Sequence, residues 1–366
     1  MNRNFSAVLL FLMLSGILAC KHEPFPGGDH HQKLELVFKD SAYQLTGVAK
    51  QQGGLLLVNY PRWSDKYKNA VVSVQDTIHS TPYPDQVFNS WQPGTDGRNK
   101  WVCVQSVYVD DNNTIWVLDP AAPFLKTIQG QGAKLVKMLG NRKMPMEIFD
   151  LNAVLPDTAY ANDVRIDVRR QFAYLTESKG GGIIVIDLAT HKMRRVLAGH
   201  YSVISDPAFK FIIDGRELMK DGKPAKFNSD GIALTPDGKW LYYKPLSDDK
   251  LYRIETQYLR DWNLSGNALE RHVQDLGHFS TTDGMIFDRS GNLYMGDLQH
   301  YRLLKITPSL SMHIIVQDPR LIWPDSYSIA GGYLYVSCSQ IQKQPEYNNG
   351  IDRRTSPYTV YRIRID

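Results

Sequence analysis

Six times along the chain, one or two polar residues are followed by a short apolar run, a turn and a second apolar run. Three of these segments are LTGVAKQQGGLLLVNYP from Leu45, VQSVYVDDNNTIWVLDP from Val104 and ANDVRIDVRRQFAYLTE from Ala161. The other three are SDGIALTPDGKWLYYKP from Ser229, TDGMIFDRSGNLYMGDL from Thr282 and YSIAGGYLYVSCS from Tyr327. Apolar and polar residues alternate in each, the period-two pattern of a half-buried strand. The turns DDNN, RRQ, PDGK, RSGN and GG carry the residue types that hairpins need. Each segment therefore predicts a β-hairpin.

Taking Val48, Val107, Val164, Ile232, Met285 and Ile329 as equivalent spaces the units 44 to 68 residues apart. That leaves room for a second hairpin in each unit. GGIIVIDLATHKMRRVL, Gly181 to Leu197, is such an outer hairpin in the third unit, and KLYRIETQYL from Lys250 begins one in the fourth. Four antiparallel strands per unit, repeated around a ring, predict an all-β, six-bladed β-propeller around a central channel. Five or seven blades are the alternatives if a unit has been split or missed. KLELVFK, Lys33 to Lys39, is expected to join TVYRIRI, Thr359 to Ile365, in the last blade, a closure that hides both sheet edges. One domain, residues 33–366, accounts for all six units. Gly199 to Phe227 is too polar and glycine-rich for plain sheet and reads as an insertion over one face, a candidate lid.

Two residues before each reference position stands a side chain able to hydrogen-bond: Thr46, Gln105, Asn162, Asp230, Asp283 and Tyr327. The next row is Gly47, Ser106, Asp163, Gly231, Gly284 and Ser328. Innermost propeller strands line the channel, so these rows converge on the axis. Polar groups meeting inside an apolar ring make a ligand site. A lone Asp-Gly is more often a turn; it is the alignment of six polar positions that favours a site. Asp230 and Asp283 repel if close, which a metal, a cationic ligand or a retained proton relieves.

Composition adds limits. The chain has 366 residues, 43% hydrophobic and 22% charged, with a net charge of +4 and no basic run, so nucleic acid is not an expected partner. The N-terminus MNRNFSAVLLFLMLSGILAC has a positive start and an apolar stretch too short to span a bilayer comfortably, and reads as a signal peptide over residues 1–19. ILAC is similar to a bacterial lipobox. It implies an exported chain whose membrane contact is a lipid anchor on Cys20, followed by a flexible tether over residues 20–32. Cys103 and Cys338 either pair in an oxidising compartment or stay free and buried. No GxSxG, HExxH or P-loop is present.

VQSVYVDDNNTIWVLDP, GIALTPDGKWLYYKPLSDDKLYRI, WPDSYSIAGGYLYVSCSQIQ and VNYPRW resemble the major royal jelly protein/yellow family, also called dopachrome-conversion-enzyme-like. The resemblance runs from about Leu34 to the end. It implies a secreted six-bladed propeller. Insect members include proteins linked to dopachrome conversion, nutritional proteins and salivary proteins that bind biogenic amines. The more distant gluconolactonase-type propellers hold a divalent metal such as calcium in the channel. By motif their ligands fall on Asn162, Asp230 and Asp283, while their first-blade Glu falls on Thr46, a departure that removes a charged ligand.

The expected function is binding of a small aromatic or cationic molecule. Asp230 and Asp283 would supply charge, Gln105 and Asn162 direction, and Tyr327 a stacking face, with Thr46 and Asp163 completing the site. The alternatives are an enzyme with Asp230 and Asp283 as catalytic acids, either a tautomerase or a metal-dependent lactonase, and a non-catalytic surface scaffold.

Overall fold

The structure, a computed structural model, describes residues 34–138 and 145–365. The signal peptide, Cys20 and the tether expected from the sequence lie outside those residues. Six four-stranded sheets form a ring, every strand antiparallel to its neighbours. The innermost strands are Val48–Lys50, Ser106–Val109, Ala161–Asp167, Ser229–Leu234, Met285–Phe287 and Pro324–Ala330. Each is one of the six repeats, so the fold is a six-bladed β-propeller. The outer hairpin of blade three, Gly182–Asp187 and Met193–Val196, falls where its sequence put it. In blade six, Glu35–Asp40 pairs with Tyr358–Arg364, which ties the two ends of the ring into one sheet.

Alternation along the strands turns one face of each blade toward the next. Every seam between neighbours is filled by its own apolar cluster. Trp116, Leu135 and Phe149 of blade two meet Val164, Leu175 and Ile184 of blade three, and Leu303 and Tyr294 of blade five meet Leu334 and Val336 of blade six. At about 1.5–3 kcal/mol for each fully buried side chain of this size, these six seams are the main force holding the ring.

Three innermost strands carry the same irregularity. The ladder slips between Ala161 and Val164, between Ser229 and Ile232, and between Pro324 and Tyr327. The bulge frees the intervening pairs Asn162-Asp163, Asp230-Gly231 and Asp325-Ser326 from pairing and re-aims them. Register then fixes the equivalences: Val164 opposes Leu175, Ile232 opposes Tyr243, and in blade six it is Tyr327 that opposes Val336. The expectation of Ile329 as the equivalent position is corrected by two residues. Its cause is the turn of blade six, where Ala330 pairs with Tyr333 across only Gly331 and Gly332. Aligning on the edge of the turn shifts the strand.

The insertion over residues 199–227 holds two short hairpins, Ile212–Ile213 with Arg216–Glu217 and Met219–Lys220 with Lys223–Pro224. Phe211, Ile213 and Leu218 pack on Leu246, Leu298, Trp323 and Tyr347, so the segment lies across blades four to six. Asp214 accepts from Lys343 Nζ at 2.5 Å and from the Tyr301 hydroxyl, which pins it there.

Candidate functional site

Asp230, in the bulged start of its strand, and Asp283, just before the innermost strand of the next blade, come together on the axis, 5% and 7% exposed. Their carboxyls are in hydrogen-bonding contact. Glycine makes the approach possible. A Cβ on Gly231 would stand 2.5 Å from the Asp283 carbonyl oxygen, and one on Gly284 would stand 2.6 Å from that of Asp325. Only residues without side chains let the strands converge so closely.

A chain of directed hydrogen bonds leads to the pair. Trp63 Nε1 donates to the Tyr160 hydroxyl (2.9 Å), which donates to Gln105 Oε1 (2.8 Å). Gln105 Nε2 donates to Asn162 Oδ1 (3.0 Å), and Asn162 Nδ2 to Asp230 Oδ2 (2.6 Å). From the other side Trp323 Nε1 donates to Asp283 Oδ2 at 2.7 Å. Trp323 adopts a left-handed backbone with φ of 58°, a strained conformation for a bulky residue.

Burial raises both carboxyls. Asp230 is pushed well above the usual carboxylate range by desolvation and then by Asp283. Asp283 is pushed up to about 6 by desolvation, opposed by its hydrogen bonds to Asp230 and Trp323. Two acids in contact out of water share a proton instead of both ionising. Asp325 is a third. It is buried, its Oδ2 has no hydrogen-bond partner, and desolvation with the neighbouring Asp283 raises it. The buried Lys244 ammonium is directed at the Pro245 and Asp248 carbonyls (2.6 and 2.7 Å) and burial brings it down to about 8.

The acid pair forms the floor of a cavity of about 220 Å³ whose walls include Trp63, Tyr160, Trp323, Phe227 and Tyr347. Gln105, Asn162, Asp230 and Asp283 reach it, four of the residues picked out by sequence. Three others do not line it. Thr46 is fully buried and its hydroxyl accepts from Asn59 Nδ2 at 3.1 Å. Asp163 lies below, accepting from Ser106 Oγ (2.8 Å) and paired with Arg165 (3.0 Å). Arg165 also donates to the Met285 carbonyl in blade five (2.6 Å), so it crosses the channel. On its far side opens a second cavity, of about 690 Å³, lined by Arg165, Tyr108 and the blade hairpins. Tyr327 is corrected most fully: its ring belongs to the core between blades five and six, and Asp325 takes the axial position instead. The aromatic walls come from connecting loops, where no period marks them. Cys103 and Cys338 are free and buried.

Calcium does not fit this donor set as it is arranged. The Asn162 oxygen is turned to Gln105 and its amide nitrogen to Asp230. Thr46 offers no charge, and no cluster of three His, Cys, Asp or Glu residues suited to a metal occurs among the described residues. Calcium needs six to eight oxygens converging on one point.

The family model for the major royal jelly protein matches residues 102–364. Protein yellow of Drosophila madeirensis is 27% identical over 232 residues, covering 57% of this chain and 39% of that protein. Major royal jelly protein 3 of Apis mellifera is 25% identical over 273 residues, covering 65% of this chain and 47% of its own. The match thus spans about half or less of these relatives' lengths. Among solved structures, the calcium-binding protein regucalcin from Agrobacterium tumefaciens superposes with a TM-score of 0.53 at 9% identity, over 91% of this chain and 94% of its own, a likeness of fold alone. With its propeller and the match over most of the ring, the chain belongs to the major royal jelly protein family.

Proposed function

We propose that the protein is an exported propeller that binds a small aromatic molecule carrying a protonated nitrogen. The observation that supports this is the contact between Asp230 and Asp283 at the base of an aromatic-walled cavity. Two carboxyls held together in a dry site have no ion-pair contact among the described residues, and an inserted ammonium supplies one while displacing the shared proton. Trp63, Trp323 and Tyr347 offer faces for a flat ring and for a cation. Export rests on the N-terminal apolar segment, and a lipid on Cys20 would hold the ring at a membrane surface.

The test is calorimetric titration of benzylamine into wild type and into the Asp230→Asn/Asp283→Asn double variant at pH 7.5. Wild type binds, and the variant loses about tenfold or more in affinity, the equivalent of one lost charge contact of ~1.4 kcal/mol. Equal affinities would remove the acid pair from the site.

A second reading, proton transfer within a conjugated ring, draws on the elevated Asp283 carboxyl. A general acid or base works best when its pKa is near the working pH. It requires dopachrome to be converted by wild type and not by Asp283→Asn, followed by the loss of its visible absorbance.

A further inference from the structure

The mouth of the cavity carries charge opposite to its floor. Lys179, Lys220 and Lys226 all line it. Two of them are committed to backbone carbonyls: Lys179 Nζ donates to Leu125 and Lys126 (3.1 and 3.2 Å), and Lys226 Nζ to Asp206 and Phe209 (2.8 and 2.6 Å). Lys220 differs. Its ammonium lies 5.9 Å from the Phe227 ring centre and 5.6 Å from that of Tyr347, and it has no ion-pair partner among the described residues.

The position of Lys220 is fixed by its surroundings. It sits in a hairpin, paired with Lys223, and the next residue, Asp221, donates its backbone N–H to the Glu346 carbonyl at 3.1 Å. Phe227 and Tyr347 are themselves tilted against each other, 6.2 Å between centres. The rings that wall the cavity therefore also hold a cation at its outer end, while the acid pair occupies the inner end.

We infer that the site takes a two-ended ligand: a protonated nitrogen on Asp230 and Asp283, an aromatic body between the rings, and a carboxylate at the far end bound by Lys220. This rests on the amine reading above and adds the outer half. The two charges must lie at opposite ends of the ligand. A half-exposed charge pair adds little affinity and much selectivity, so Lys220 determines which amine is taken.

The experiment compares benzylamine with 4-(aminomethyl)benzoate, which differ only in the distal carboxylate, by calorimetry on wild type, Lys220→Met and Lys220→Arg. Wild type should prefer the carboxylated compound by about 3- to 10-fold. Lys220→Met should erase that preference and Lys220→Arg should retain it, both by the charge argument. Equal binding of the two compounds by wild type, or a preference that survives in Lys220→Met, overturns the role of Lys220 while the amine reading stands. Failure of wild type to bind either compound overturns both.

Discussion

Replacing Asp283 with Asn should make the protein more stable at neutral pH and change little in acid. In the folded protein the Asp283 carboxyl is raised from 3.8 to about 6, chiefly by burial. A raised acid favours folding below its unfolded pKa, and that contribution is lost as pH rises through the folded value. The difference of about two pKa units corresponds to about 3 kcal/mol once pH exceeds both values. Asparagine does not ionise. Its carbonyl oxygen can accept from Trp323 Nε1, and its amide can donate to Asp230, so the geometry is kept. Urea denaturation of both proteins should show little gain at pH 4, growing to about 3 kcal/mol at pH 8. For a chain of this size, that is roughly 4 °C in Tm. A gain independent of pH, or a variant less stable than wild type at pH 8, would refute the claim that the pair is held together at a cost. A gain of the predicted form would mark the pair as a place where stability is given up for function.

Other perturbations follow from the same geometry. Gly231→Ala pushes a methyl group against the Asp283 carbonyl, and should cost about 1–3 kcal/mol in a denaturation series while weakening benzylamine binding. Arg165→Met leaves the mostly buried Asp163 carboxylate without its ion-pair partner and should destabilise by about 3 kcal/mol in a denaturation series. Because the donor set does not suit calcium, excess EDTA should leave both Tm and benzylamine affinity unchanged. A fall in either on chelation, restored by Ca²⁺, would contradict that assignment.

The ring was legible in the sequence because its signal is repeated. Six hairpins, each with strand alternation and turn residues, reinforce one another, and Glu35–Asp40 had one free edge to join. The acid pair was legible for the same reason, since SDG and TDG occupy matching places. What failed was local. Period-two alternation says that Asp325 and Tyr327 share a face, but a bulge between Pro324 and Tyr327 breaks the phase and sends the tyrosine to the core. The motif was present all the same: Asp325-Ser326 before an apolar run repeats Asp230-Gly231, and counting from the acid instead of from the turn would have found it. Trp63, Tyr160 and Lys220 belong to loops and to the insertion, whose placement depends on tertiary contacts such as Phe211 on Trp323, and no periodicity encodes those.

The central claim, that the channel binds an aromatic amine on its acid pair, is tested most directly by locating one. A crystal soaked with 4-bromobenzylamine reports the bromine by its anomalous scattering. The account predicts a single ordered site with the ammonium against Asp230 and Asp283 and the bromine toward Phe227 and Tyr347. Bromine in the larger cavity beyond Arg165, or no ordered peak in the channel at a concentration that saturates the calorimetric signal, would contradict it.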